Sequence, residues 1–245
     1  MIARRPPPLL LALESATSVL SVALLRGDEL VDEVSAPLGP AAETLLPAID
    51  TLLGRTGVEI QALEAFAVSI GPGSFTSLRV GIATVKGLAF GADCPVAPVS
   101  TLAALALAPG PTEATIVPML DARRGQVYAA AYAGGSQRET LIEASVYTPH
   151  ELCARLAAPC ILVGEAVALC GEAIRAELGD GVALLPPPQG DPCARHVGVL
   201  GAEMLARGDA VDAAALAPHY LRRAEAEVKR VGERFEPAPG SSKRA

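Results

Sequence analysis

The sequence predicts an α/β protein of two lobes, and three observations carry that reading. Short apolar runs bounded by turn residues alternate with segments of helical period along most of the chain. The order β-β-β-α-β-α occurs twice, beginning near residue 9 and again near residue 115. Between the two series lies Ala108-Pro109-Gly110-Pro111-Thr112, a stretch unsuited to helix or strand. The repeat is one of architecture, not of sequence. It divides the chain into an N-terminal lobe at 1–108, a C-terminal lobe at 109–220 and a tail at 221–245.

In the first series, the continuous apolar run at 9–13 suits a strand buried on both faces. The turn-prone Glu14-Ser15-Ala16-Thr17-Ser18 leads into a second strand at 19–25. After Arg26-Gly27-Asp28-Glu29, a third strand at 30–35 carries one polar face. Leu45, Leu46, Ile49, Leu52 and Leu53 make the amphipathic stripe of a helix at 43–53. A strand at 65–70, a glycine-rich turn, a helix at 74–90, a strand at 96–99 and a helix from Thr101 complete the lobe. In the second series, strands are expected at 115–120, 127–133 and 140–147, with the turn Asp121-Ala122-Arg123-Arg124-Gly125 between the first two. Pro149 opens a helix, because proline suits the first helical position. A strand at 160–163 and a helix at 165–178 follow.

Composition narrows the class. Of 245 residues, 51% are apolar, and no apolar run reaches the ~18 residues that a spanning helix needs. The early run stops at Glu14, too soon for a secretory segment despite Arg4 and Arg5. A soluble cytoplasmic protein is expected. The net charge of −7 argues against broad binding to nucleic acid, and no Trp and only four Phe and four Tyr offer little for base stacking. The five cysteines are an odd number without C-x-x-C spacing, so neither a disulfide framework nor a zinc site is expected. The three histidines form no H-x-x-H or H-x-x-x-H pair. The tail carries seven basic and four acidic residues, net +3, and is expected to be disordered. It reads either as a solvated terminus or as a tail that touches RNA or a partner.

The segment Gly71-Pro72-Gly73-Ser74-Phe75-Thr76 joins a strand to a helix. Such a turn either cradles an anion at the helix N-terminus or simply closes the connection; no G-x-x-x-x-G-K-[ST] loop is present. On the helix that follows, Phe75, Leu78, Ile82, Val85 and Ala89 form one stripe, expected to face the sheet. Ser77, Gly81, Thr84, Leu88 and Gly91 form a second, small-residue stripe, which implies a second close neighbour. That neighbour is expected to be another subunit, with Arg79 and Lys86 framing the interface by charge. Asp121 ends a strand and Glu14 stands at the matching place in the first lobe; each reads equally as a metal- or phosphate-side carboxylate or as a solvated turn residue.

Read in order, Leu11-Ala12-Leu13-Glu14-Ser15-Ala16-Thr17, Leu45-Leu46-Pro47-Ala48-Ile49, the segment from Gly71 to Gly81, Asp121-Ala122-Arg123-Arg124-Gly125-Gln126-Val127-Tyr128 and Tyr220-Leu221-Arg222-Arg223 resemble the TsaB family, also called YeaZ. The resemblance implies an actin-like, ribonuclease-H-like fold and a role in making threonylcarbamoyladenosine beside the tRNA anticodon. It implies a non-catalytic scaffold that binds a TsaD-like catalytic subunit and helps recruit a TsaE-like ATPase, without a catalytic or metal site of its own. ATP and metal are expected on those partners, tRNA only through the complex, and self-association is left open. The partner surface is expected at Gly71, Pro72, Gly73, Ser74, Phe75 and Thr76, continuing through Leu78, Arg79, Gly81, Thr84, Lys86 and Leu88. Glu14, Ser15, Thr17 and Asp121 read as remnants of phosphate-side positions. Departures from the family pattern agree: Glu14 stands where aspartate is common, Ser77 where glycine is common, and Ala41 or Ala42 where a histidine is frequent. The rival reading is an autonomous enzyme of the same fold, a kinase-like ATP user or a peptidase.

Overall fold

A computed structural model describes residues 6–37, 41–135 and 138–222. The expectation for the tail beyond 222 lies outside them. In the first lobe β1 (Leu9–Glu14) pairs antiparallel with β2 (Val19–Arg26), and β2 with β3 (Glu29–Pro37). On its other side β1 pairs parallel with β4 (Ala65–Gly71), and β4 with β5 (Val96–Ser100). The helices are α1 (Ala41–Thr56), α2 (Phe75–Ala92) and α3 (Thr101–Leu105). The second lobe holds β6 (Thr115–Asp121), β7 (Val127–Tyr132), β8 (Thr140–Tyr147), α4 (Pro149–Cys153), β9 (Cys160–Val163), α5 (Val167–Leu178) and β10 (Val182–Leu185), followed by α6 (Ala194–Arg207). The sheet orders are β3-β2-β1-β4-β5 and β8-β7-β6-β9-β10, one arrangement built twice. This is the two-lobed actin-like architecture.

Alternation along the strands explains the layers. Leu9, Leu11 and Leu13 point to one face, where Leu45, Ile49 and Leu52 of α1 and Ile82, Val85 and Ala89 of α2 cover them. Leu46, expected in the α1 stripe, is 54% exposed instead. Leu10 and Ala12 point to the opposite face with Ala23, Ala65, Ala67 and Ala97. That shallow, alanine-lined face admits a helix at short range, and α6 lies there with Ala194 and Val197 in the same cluster. Gly198 and Gly201 touch the sheet directly: a Cβ on either would overlap Leu25 or Ala67. The first N–H groups of α6 lack a cap of their own, and the sheet supplies one. Ala194 N–H donates to Ser21 Oγ at 2.7 Å, and Arg195 N–H to Glu33 Oε1 at 3.2 Å. Burial pushes the Glu33 carboxyl above its usual range, against the opposing pull of that bond.

Sequence reading placed 109–220 in the second lobe and stopped at the helix ending at 178. Two elements lie beyond it, β10 and α6, and α6 covers the first sheet rather than the second. The exchange is mutual. Helix α3 sets Leu102 and Leu105 among Ile116, Leu120 and Ala130 of the second sheet. Each sheet is therefore covered by a helix that follows the other in sequence or precedes it. After α6, Val211 pairs with Val96, and Lys86 Nζ donates to Ala214 O at 3.2 Å. His219 N–H donates to Ile70 O at 2.8 Å, and Arg222 Nη1 reaches Ala122 O on the second lobe at 2.7 Å. Residues 211–222 form a strap along the first lobe that ends on the second.

Candidate functional site

The turn after β1 is filled from within. Glu14 is fully buried; its Oε1 accepts from Ala16 N at 2.6 Å and its Oε2 from Ser69 Oγ. Burial raises its pKa to about 7, against the lowering effect of those two bonds. Ala16 O accepts from Ser74 N at 2.7 Å, and Ser15 Oγ donates to Ser77 O at 3.2 Å. Thr17 Oγ1 is buried without a hydrogen bond among the described residues. The turn packs against the start of α2, and two glycines make room for it. A Cβ on Gly73 would overlap Ala16 O, where φ is +157°, and a Cβ on Gly81 would overlap Ser15 Oγ.

This placement corrects the stripe expected on α2. Gly81 and Leu78 are buried inside this chain, Gly81 by Ser15 and Leu78 by the core, while Thr84 and Leu88 are half-buried. The close neighbour of Ser77 and Gly81 is the β1–β2 turn, whereas Leu88 packs on the core and Gly91, at the far end of that stripe, stays open. The outward stripe runs about one residue away, through Thr76, Ala83, Gly87 and Phe90. Phe75 does not face the sheet; its ring lies 5.0 Å from that of Tyr220. Arg79 stacks over Phe75 at 3.8 Å and its Nε donates to Tyr220 OH at 3.1 Å. Both cations expected to frame a partner, Arg79 and Lys86, are thus engaged by the strap. Gly71 lies under the strap as well, since a Cβ there would be 2.6 Å from His219 O. At the helix start, Ser74 Oγ accepts weakly from Ser77 N at 3.5 Å as N-cap.

Where the lobes meet, a cavity of about 230 Å³ opens between Gly73 and Phe75 on one side, Arg123, Arg124 and Tyr128 on the other, and the strap. Arg222 joins that wall, bonded to Ala122 O and to Gln126 Oε1. Glu14, Ser15, Thr17 and Asp121 do not line it. Asp121 instead holds the hairpin turn: its carboxylate accepts from Arg123 N at 2.7 Å and Nη1 at 3.1 Å. Within that turn Arg123 and Arg124 take φ values of 63° and 57°, ahead of Gly125 at 72°. Left-handed backbone costs an L-residue about 1–2 kcal/mol and glycine almost nothing. Arg123→Gly and Arg124→Gly are therefore expected to hold or raise the thermal midpoint, the relief exceeding the about 0.4–1 kcal/mol of added chain entropy. A clear fall in the melting curve would mean that these side chains carry structural contacts. The exposed Arg123–Asp121 pair contributes little either way.

Among the described residues no three His, Cys, Asp or Glu side chains are gathered to hold a metal, and no helix is long and apolar enough to cross a membrane. The cavity residues Arg123, Arg124, Tyr128, Tyr220 and Arg222 were visible in sequence only as parts of the motifs quoted above, without a reason to meet.

Residues 41–230 match the family model described as TsaD, tRNA N6-adenosine threonylcarbamoyltransferase. The chain is similar to the tRNA threonylcarbamoyladenosine biosynthesis protein TsaB of Bacillus subtilis, at 32% identity over 90% of this chain and 96% of the relative. It is similar to the protein of the same name in Escherichia coli, at 30% identity over 91% of this chain and 99% of the relative. Among solved structures, YeaZ from Pseudomonas aeruginosa superposes with a TM-score of 0.74 at 32% identity, covering 87% of this chain and all of that one.

Proposed function

The chain belongs to the TsaB family and so takes part in tRNA threonylcarbamoyladenosine biosynthesis; from that premise we propose that it serves there as a scaffold, docking a TsaD-like catalytic subunit through the outer face of α2. One observation carries this reading: on that face Phe90 is 83% exposed, and a Cβ at Gly87 or Gly91 would meet nothing within 4 Å. A helix face that is apolar, small and uncovered suits close approach by another helix. Leu46 on the neighbouring α1, also exposed, extends the apolar surface.

The autonomous-enzyme reading draws less support. Phosphate transfer would use N–H groups of the β1–β2 turn, and Ala16 N is already taken by Glu14. On this proposal ATP and metal belong to partner subunits, the chain helps recruit a TsaE-like ATPase, tRNA is met within the assembly, and the work is cytoplasmic.

The test is Gly87→Glu. A charge in the middle of a helix–helix contact is desolvated without a partner, so affinity for the co-expressed TsaD-like subunit should fall by at least about a hundredfold. The isolated variant should melt like the wild type, because position 87 is open. Undiminished binding in a titration would place the interface elsewhere.

A further inference from the structure

We propose that residues 224–235 of this chain, beyond those the structure describes, dock as an amphipathic helix along the exposed face of α5. On α5, Val167, Cys170, Gly171 and Ile174 turn inward, and the opposite side carries Leu169, Ala173 and Ala176 at helical spacing. Leu169 is 67% exposed, and of the described large apolar residues only Phe90 is more so. Glu172 and Glu177 stand on either side of that stripe, and residues 165–180 hold four acidic side chains against Arg175 alone. The face is therefore apolar along its middle and acidic at its rim. A cover for it must be apolar on one side and basic beside that side.

The sequence after the strap meets that description in period, charge and length. Ala224, Val228, Val231 and Phe235 follow one another at 4-3-4 spacing, one stripe of a helix about 18 Å long. Helix α5 has 12 residues, so the two elements match in length. Lys229, Arg230 and Arg234 stand against Glu233 in the second half of the segment. Laid parallel to α5, that half reaches Glu177 and Asp180. So short a helix, with Gly232 inside it, does not hold in water by itself, and its apolar stripe needs a surface. The disorder expected of the tail is thereby confined to residues 236–245.

The point of exit selects α5 over other surfaces. Arg222 Nη1 ends the strap on Ala122 O at 2.7 Å, and the neighbouring Asp121 N–H donates to Glu165 Oε1 at 3.3 Å. Leu169 stands four residues after Glu165, one helical turn along. The chain thus leaves the strap beside the first turn of α5, on the lobe that carries the acidic rim. The other open helix face, on α2, belongs to the lobe that the strap has just left. Lys86 lies at its edge, where it repels the basic half of the segment. Docking on α5 leaves the outer face of α2 free, so this proposal and the binding of a TsaD-like subunit stand or fall separately.

The experiment is hydrogen exchange on the full chain, read by mass spectrometry, with the free peptide 223–245 as reference. Amides of residues 228–235 should exchange at least about tenfold more slowly in the chain than in the peptide, whatever the protein concentration. Leu169→Glu and Phe235→Glu should each remove that protection, and Leu169→Met should keep it. Position 169 is exposed, so exchange in β6 and β9 should be unchanged in both Leu169 variants, which separates lost docking from lost fold. Exchange at the rate of the free peptide in the wild type overturns the proposal. So does protection that Leu169→Glu retains, because the segment then lies on another surface. Protection that vanishes on dilution overturns it as well, since the cover is then a second copy of this chain.

Discussion

Gly81→Glu is expected to lower the thermal midpoint by roughly 10 °C or more, while Gly87→Glu, six residues along the same helix, leaves it in place. At position 81 even a Cβ overlaps Ser15 Oγ, and the carboxylate beyond it enters a space closed by the β1–β2 turn. A buried, unpaired charge costs about 3–5 kcal/mol, a large share of the 5–15 kcal/mol by which domains are stable. Gly73→Ala should act in the same direction through its clash with Ala16 O, where no side-chain rotation gives relief. The pair of glutamate variants separates two kinds of small residue on one helix. If Gly81→Glu melts with the wild type, the turn does not pack there and position 81 faces outward after all.

The second expected effect is a stability difference that depends on pH. Burial raises the Glu14 pKa from 4.5, the ordinary value of a glutamate, to about 7, so the folded chain holds a proton that the unfolded chain releases between those values. Its contribution is fully present below pH 4.5 and is lost as pH rises through 7. Glu14→Gln keeps the shape and removes the titration. Relative to wild type, the variant should gain stability across that window, reaching about 3 kcal/mol above pH 7. The difference is the quantity to measure, because His196 opposes it in the wild type. Burial lowers that imidazole to about 4, so its share of stability fades as pH falls from 6.5 toward 4. Chemical denaturation of both proteins at pH 4.5, 6 and 8 decides it, and a constant difference would place the Glu14 carboxylate in contact with solvent.

The strands and most helices were legible because their signals are local. Runs such as Leu9 to Leu13 and the stripe Leu45, Ile49, Leu52 reflect burial against large neighbours. Helix α6 escaped because its buried face is made of Ala194, Val197, Gly198 and Gly201, with little hydrophobic contrast. Its bulk lies on the other side of the contact, in Leu10 and Leu25. The same ambiguity misled the reading of α2. A small residue on a helix announces close approach but not the identity of the approaching chain, and Gly81 and Gly87 look alike in sequence. The cavity was hidden for a further reason: nothing in the spacing of Arg123, Arg124 and Arg222 says that the strap doubles back.

The crossed placement of α6 also sets an order of events at the ribosome. Residues up to 108 emerge first, yet the alanine-lined face around Leu10, Ala67 and Ala97 stays wet until residues 194–207 have left the exit tunnel. The second sheet, continuous from β6 to β10 and already furnished with α3, has its strands and the apolar cover of α3 earlier, lacking only the polar contacts of Arg138 with Glu203 and of Arg222 with Ala122 O. Although the first lobe leads in translation, it finishes folding last, and in the interval it exposes apolar surface of the kind chaperones bind. A fragment ending at 185 should accordingly yield a folded second sheet beside an aggregation-prone first one, and α6 supplied in trans as a peptide should restore solubility.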